Sequence, residues 1–470
     1  MSNTPSIFIS AGEASGEHYG ALLVAALQER LAAAGQTAQF FGMGGERMKA
    51  AGLETVVRAE DMAVMGLTEV LHHLPRIWRE FRKLKRAIRE RQPAVAVLID
   101  FPEIHFRLAE QLHGLGIPVI FFVSPQLWAW KKHRIKLVEK YIDRMLVIFP
   151  FEQPFYRSHG VEAEFVGHPL AELAAPSASR EQFAQENGLD PAKTWIGLLP
   201  GSRPKEIRDN LPEILKAARA LAGAEVKGTG FSPYIERAKS TGALQVAEGS
   251  FLPGEKRQGT TLAVPQTQEK KSGALAPEGR SAELLPEDNP RSQASETWSS
   301  QFVIPLAATL NAAQRDEVRQ LVEAHGGGLE IRLVEDARAA LFHARASVVA
   351  SGTATVEAAL IGNPFVVVYR VSPITFAIAK RVVKVDHVAM ANLIAGKRVV
   401  TELIQDDFTA QNIVQEIERL LPDGPARQSM MEELARIRGL LNSREPGTGE
   451  VGGAIGRVAE VALELLGQGS

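Results

Sequence analysis

Short apolar runs that alternate with helical patterns, twice over in one chain, constrain this fold more than any other feature. The first series has apolar runs at Ile7–Ser10, Ala94–Ile99, Val119–Val123 and Met145–Phe149, with helical patterns such as Ala21–Ala33 and Ile104–Leu115 between them. Strands apolar on both faces belong to a parallel sheet covered by helices on both sides. The alternation restarts at Trp195–Leu199 and continues through Phe302–Pro305, Glu330–Val334, Ser347–Ala350 and Phe365–Tyr369. Each series reads as a doubly wound, Rossmann-like α/β domain, and 470 residues are enough for two of them. Pro169, Pro176 and Pro191 interrupt the pattern and place the linker near His168–Pro191. The resulting bounds are 1–170 for the first domain and 171–227 with 301–442 for the second. The remaining 443–470 hold a helix, Val451–Leu466, that packs on the first domain or on a partner chain.

One stretch breaks the alternation. From Gly228 to Ser300 the chain is rich in Gly, Pro, Ser, Glu, Gln and Lys, and it lacks sustained apolar periodicity. Such a composition buries too little surface to offset its ordering entropy, so the expectation is a disordered insertion. A small accessory subdomain around Leu244–Leu252 and Thr260–Pro265 is the alternative. The insertion joins a helix to a strand, and such connections lie at the amino ends of strands. Ligands of open α/β sheets bind beyond the carboxyl ends. The insertion is therefore expected to be remote from the chemistry.

Composition removes several function classes. The net charge of −2 points to no nucleic-acid partner, and the absence of cysteine rules out disulfides and thiolate metal sites. No basic n-region opens the chain, and no apolar stretch reaches the roughly 20 residues of a spanning helix. A cytoplasmic protein is expected, one that is still able to lie on a membrane.

Candidate chemistry sits where strands end. Ile196–Arg203 reads I-G-L-L-P-G-S-R, so a strand runs into Gly201, Ser202 and Arg203, a backbone turn and a cationic fork suited to phosphate. Ala350–Glu357 reads A-S-G-T-A-T-V-E, in which Ser351, Gly352 and Thr353 offer a helix N-terminus to a pyrophosphate and Glu357 offers a carboxylate to ribose hydroxyls. Ordinary turn formation and helix capping are the competing readings of both stretches. In the first half, Leu98–His105 reads L-I-D-F-P-E-I-H. Asp100 ends an apolar strand, where a carboxylate serves either as a general base or as a helix cap. His105 reads equally as a surface residue of the helix after Pro102, and it lacks a second histidine or carboxylate cluster at ligand spacing, so no metal site is expected. Val123–Trp130, V-S-P-Q-L-W-A-W, brings two tryptophans beside a basic run; one ring is expected to pack, and the other stays open between packing and an acceptor cleft.

A further segment speaks to location. Met62, Val64, Met65, Leu67, Val70, Leu71 and Leu74 make a dense apolar stretch that leads through Ile77 and Trp78 into a helix rich in arginine and lysine. An apolar segment beside a cationic helix suits a membrane interface, and a core helix followed by a solvated one is the alternative.

The chain closely resembles the lipid-A-disaccharide synthase family of inverting, two-Rossmann (GT-B) glycosyltransferases. The stretches that carry the resemblance are A-G-E-A-S-G-E at Ala11–Glu17, D-M-A-V-M-G-L-T-E-V-L at Asp61–Leu71, S-P-Q-L-W-A-W at Ser124–Trp130 and F-V-G-H-P-L at Phe165–Leu170. L-P-G-S-R-P-K-E-I at Leu199–Ile207, A-S-G-T-A-T-V-E-A at Ala350–Ala358 and A-N-L-I-A-G-K-R-V-V-T-E-L-I-Q at Ala391–Gln405 complete the set. The resemblance implies two domains facing a cleft, and transfer of 2,3-diacylglucosamine from its UDP ester to 2,3-diacylglucosamine 1-phosphate (lipid X). UDP and a β-1,6 disaccharide are then the products. It implies no metal or other cofactor, Asp100 as the base, and Arg203 with Ser351–Thr353 on the leaving diphosphate. Asn392 and Gln405 match polar residues implicated in the family's donor site. Acylated substrates give the Met62–Trp78 segment a reason to touch the inner membrane from its cytoplasmic side. A UDP-N-acetylglucosamine 2-epimerase or an undecaprenyl-linked transferase is the alternative on the same fold, and monomer or homodimer stays open.

The match is not complete. The family usually has Asp-x-Pro-Asp-Phe-Asn after the base strand, whereas this chain has Asp100-Phe101-Pro102-Glu103-Ile104-His105. With UDP placed in the second domain, the loop of Gly12, Glu13, Ser15 and Gly16 reads as part of the acceptor site. Gly12 and Gly16 let the backbone approach the sugar or its 1-phosphate, and Ser15 is a candidate donor to that phosphate. Glu13 suits sugar hydroxyls better than phosphate, and Glu17 is expected to favour its own helix N-terminus.

Overall fold

The computed structural model describes residues 4–62, 67–223, 299–372, 376, 387–442 and 453–468, with 67–74 and 468 as backbone. Two parallel sheets organise them. The first contains β1 (Ser6–Ala11), β2 (Gln39–Gly44), β3 (Glu54–Arg58), β4 (Val95–Ile99), β5 (Val119–Phe122), β6 (Arg144–Val147) and β7 (Ala163–Phe165). Their spatial order is β3-β2-β1-β4-β5-β6-β7. The second contains β8 (Thr194–Leu199), β9 (Ser300–Pro305), β10 (Ile331–Val334), β11 (Ala346–Ala350), β12 (Phe365–Tyr369) and β13 (Glu402–Ile404), in the order β10-β9-β8-β11-β12-β13. The central strands are buried along nearly their whole length, as β4 (VAVLI) and β11 (ASVVA) show. Helices cover both faces, so each strand needs apolar side chains in both directions.

Strand order reverses once in each sheet, beside β1–β4 in the first and β8–β11 in the second. A crevice opens beyond the carboxyl ends of strands at such a switch point. Four loops border the two crevices: those after Ala11, Ile99, Leu199 and Ala350.

The chain crosses between the sheets at two places, and these touch: His168 N–H donates to Leu441 O at 2.9 Å. After the second crossing, helix Gly453–Gln468 packs on helix Ala14–Ala33 and on β4 of the first sheet. Arg30 pairs with Glu460 at 2.9 Å, and Arg457 Nε donates to Glu164 at 2.6 Å. The expected insertion, 228–300, lies almost wholly outside the described residues. The helix before it ends at Gly223 and the strand after it begins at Ser300, so the connection enters at the amino end of β9.

Residues Leu67–Arg91 form one continuous helix through Pro75. Its later turns bury Leu84, Ala87 and Ile88 in the first-domain core. The expected membrane stretch divides accordingly. Met62 is only 3% exposed and belongs to that core, which corrects its reading as a membrane contact. Val64 and Met65 lie outside the described residues; Leu67, Val70, Leu71 and Leu74 are described as helix backbone. Trp78 is 53% exposed beneath the Arg82 guanidinium, 3.8 Å from the ring centre.

Candidate active site

At the first switch point, Asp100 follows β4 and directly precedes helix Pro102–Gly114. Both Asp100 and Phe101 take the left-handed backbone region, with φ of 50° each, an uncommon and costly state for residues with side chains. His105 holds it. Its Nδ1 lies 2.5 Å from the carbonyl oxygen of Asp100, and its Nε2 lies 2.8 Å from Ser10 Oγ at the end of β1. A carbonyl only accepts, so Nδ1 carries the proton and Nε2 accepts from the serine hydroxyl. Burial lowers the imidazole to about 4, which keeps it neutral and fixes that tautomer. His105 is fully buried and is therefore no surface residue of its helix.

The glycine loop reaches the same place. A Cβ on Gly12 would sit 2.3 Å from the Phe101 ring, so glycine is needed where the loops after β1 and β4 meet. Burial and then the negative charge of Glu13 push the Asp100 carboxyl up to about 7, against the Phe101 N–H that favours its ionised form. Glu13, exposed on the loop, thus acts on the candidate base by charge. Glu17 stands in the first turn of its own helix, as expected, and also serves a neighbouring one. Its carboxylate accepts from Arg47 N–H at 2.8 Å, at the start of the neighbouring helix Glu46–Ala50.

The second switch point carries the phosphate-type features. Gly201 has a φ of 130°, and buried Asn210 donates to Pro200 O at 2.8 Å, which fixes the turn. The N–H groups of Ser202 and Arg203 point at Glu206 Oε2, at 3.2 and 3.4 Å, and Arg203 Nη1 donates to Glu206 Oε1 at 3.3 Å. A carboxylate of the chain itself thus fills the anion seat. Across the crevice, Gly352 has a φ of 148° before helix Thr353–Ile361, and the buried hydroxyl of Ser351 has no hydrogen-bond partner. Burial raises the Glu357 carboxyl, with Arg338 opposing.

Tyr19 lies on the helix that follows the glycine loop. This residue is 3% exposed, and its hydroxyl is raised by burial and then by the negative charges of Glu357 and Asp100. Sequence reasoning did not single out Tyr19; the helical period that buries it looks like ordinary core packing. Ser15 stands on the first turn of the same helix, half-buried.

Two expected donor residues hydrogen-bond to backbone of their own domain. Asn392 is fully buried and uses both ends of its amide inside one loop. It donates to Val400 O at 2.9 Å and Glu402 Oε1 at 2.8 Å, and accepts from Val399 and Val400 N–H at 2.7 and 2.9 Å. Gln405 clamps Val371, accepting from its N–H at 2.9 Å and donating to its carbonyl at 3.0 Å. Full burial with its amide satisfied corrects the reading of Asn392 as a direct donor contact, whereas Gln405 is half-buried and braces the backbone at Val371.

In the tryptophan loop, Trp128 is buried edge-on to Phe151 at 5.1 Å, whereas Trp130 is half-buried with Lys131 Nζ 4.0 Å from its ring centre. Beneath them, Glu152 is 1% exposed and burial pushes it up to about 8. Among the described residues, no cluster of three histidine, aspartate or glutamate side chains is placed to hold a metal ion.

Comparison with known proteins places this geometry. The family model described as lipid-A-disaccharide synthetase matches residues 7–229 and 263–446, and the interval it skips lies within the expected insertion. A lipid-A-disaccharide synthase of Acidobacterium capsulatum is 50% identical, over 99% of this chain and 98% of its own. Among solved structures, a UDP-GlcNAc 2-epimerase of Neisseria meningitidis aligns with a TM-score of 0.52 at 12% identity, over 99% of this chain and 100% of that one. The glycotransferase of kitacinnamycin gives 0.52 at 14%, over 98% and 99%. Likeness at such low identity reports the two-domain fold alone, which transferases and epimerases share. Full-length identity is with the synthases, and this decides against the epimerase and undecaprenyl-linked alternatives. The chain belongs to the lipid-A-disaccharide synthase family of GT-B glycosyltransferases.

Proposed function

We propose that this chain transfers 2,3-diacylglucosamine from its UDP ester to the 6-hydroxyl of 2,3-diacylglucosamine 1-phosphate, with Asp100 as the base. The observation that carries this reading is the full-length match to the synthase family together with Asp100 at the carboxyl end of β4, beside the glycine loop. Ionised Asp100 takes the proton of the 6-hydroxyl. The oxygen attacks the anomeric carbon from the face opposite the diphosphate, and the bond from that carbon to the diphosphate oxygen breaks with its electron pair. UDP leaves and a β-1,6 bond forms. A base near pH 7 is half ionised where the cell works, which suits proton abstraction.

The leaving diphosphate gathers negative charge in the transition state. Fixed N–H groups and a cation directed at it lower the barrier most when they are preorganised. The Ser202–Arg203 turn and the Ser351–Thr353 helix start supply such groups from adjacent strands. Glu357 then receives the ribose hydroxyls. Gly12, Ser15 and Gly16 line the acceptor side, and Glu13 tunes the base.

Both substrates carry acyl chains, and we place the enzyme on the surface of the inner membrane. Exposed Trp78 beneath Arg82, on a helix with Arg79, Arg86 and Arg89, supports that reading. No helix among the described residues is long and apolar enough to cross a membrane.

The test is direct. Purified protein with the two lipid monosaccharides yields disaccharide and UDP in equal amounts. Absence of product across a range of acyl lengths would falsify the assignment.

A further inference from the structure

Glu103 opens the helix that follows Asp100, and two cations converge on it. Lys131 Nζ lies 2.9 Å from Glu103 Oε1, and Arg134 forks over both oxygens, at 3.1 and 2.7 Å. Burial raises the Glu103 carboxyl, but Arg134 and Lys131 outweigh it and hold the group below its ordinary range. Lys131 sits in the left-handed region at φ 53°, with its ammonium held against Trp130, so the backbone strains to present it. The Lys131 and Arg134 side chains keep only 20% and 19% of their surface exposed, so the cluster is organised and still reachable.

Position gives the cluster a ligand. Glu103 is three residues past Asp100, in the first turn of the helix that follows it. Lys131 and Arg134 follow β5, the neighbour of β4, so base and cations share one carboxyl edge. Two cations against one carboxylate leave a net positive charge there. In a pyranose C1 and C5 flank the same ring oxygen, so a sugar whose 6-hydroxyl meets Asp100 holds its 1-phosphate beside that hydroxyl, on the neighbouring edge of the ring.

We infer that Lys131 and Arg134 form the seat for the 1-phosphate of the acceptor, with Glu103 holding both cations in place until the phosphate joins them. This assignment rests on the proposed function above. It makes the phosphate a specificity element that is read by the first domain independently of the donor diphosphate.

The experiment compares the phosphorylated acceptor with the same acceptor lacking its phosphate, in wild type and in R134M, K131M and E103Q. A charge-assisted contact is lost with Arg134, so R134M should raise KM for the phosphorylated acceptor about 10- to 100-fold and leave KM for the other unchanged. K131M should act in the same direction. E103Q releases the cations and should lower KM for the phosphorylated acceptor. Equal effects on both acceptors, or a rise in KM with E103Q, would mean that the cluster is a structural clamp and overturn the inference. In that case wild type still makes disaccharide, and the proposed function stands. No disaccharide from either acceptor removes both readings.

Discussion

The imidazole of His105 bridges two strands' ends: Nδ1–H donates to the Asp100 carbonyl at 2.5 Å while Nε2 accepts from Ser10 Oγ at 2.8 Å. This brace spans the proposed base, Asp100, which is held in a left-handed conformation uncommon for a residue with a side chain. Replacing His105 with Ala should reduce kcat by about 100-fold with little change in KM, because a displaced reacting group costs roughly that much. H105N keeps a donor for the carbonyl and should recover part of the loss. Circular dichroism and kcat for the two variants check this; a pure rise in KM would argue against a positioning role.

The base should be visible in the pH profile. Asp100 must be ionised to accept a proton, and it titrates at about 7. The rate should therefore climb with pH through neutrality and level off above it. E13Q removes a like charge and should move this limb to lower pH. D100N should slow turnover by roughly 10²–10⁴-fold. An E13Q limb unmoved from wild type would separate Glu13 from the base.

Glu206 occupies the anion seat of the Gly201–Arg203 turn. In the proposed reaction the UDP diphosphate displaces it. Titration calorimetry should show E206Q binding UDP about 3- to 10-fold more tightly, the worth of one ordinary hydrogen bond, and R203M about 10- to 100-fold more weakly. Weaker UDP binding by E206Q would instead assign Glu206 to building the turn.

Buried Glu152 lies under the tryptophan loop with its carboxyl pushed from 4.5 to about 8. A group raised on folding contributes stability below about 4.5, and that contribution is lost as pH rises through about 8. The melting temperature of E152Q should therefore exceed that of wild type increasingly across this window. Parallel curves at all pH values would show that Glu152 is not carrying this linkage.

Trp78 stands out from its helix next to several arginines. Burying such a side chain in a bilayer interface is worth roughly 1.5–3 kcal/mol, so W78S should weaken binding to anionic vesicles by about 10-fold or more. Co-sedimentation measures it directly, and unchanged binding would place the contact elsewhere.

Much of this site was legible before any coordinates. Asp100, Arg203 and the Ser351–Glu357 stretch each follow an apolar run, and a helix-covered parallel strand ends in a loop at the carboxyl edge. The glycine loop at Gly12 reads from sequence as part of the acceptor site rather than as a nucleotide loop, and the structure brings it against Phe101, next to Asp100. Residues whose work is indirect were not legible. His105 could equally pass for a surface residue, Met62 looked like a membrane contact, and Asn392 like a donor ligand. Each is explained by partners distant in sequence or by local backbone that periodicity does not encode. Glu103, Lys131 and Arg134 likewise looked like scattered charges, because their meeting depends on β4 and β5 being neighbours.

The sequence alone determined the alternation of strands and helices, the two domains and, through ordered motifs, the family. These follow from local spacing and from residue identity. Tertiary structure alone decided that β1 lies against β4 and β8 against β11, so that the four loops meet in pairs at two switch points. Strand order depends on contacts between segments far apart in the chain, and burial follows from those contacts. That is why burial, which raises Asp100 and neutralises His105, and the left-handed backbone of Asp100 came only with the fold.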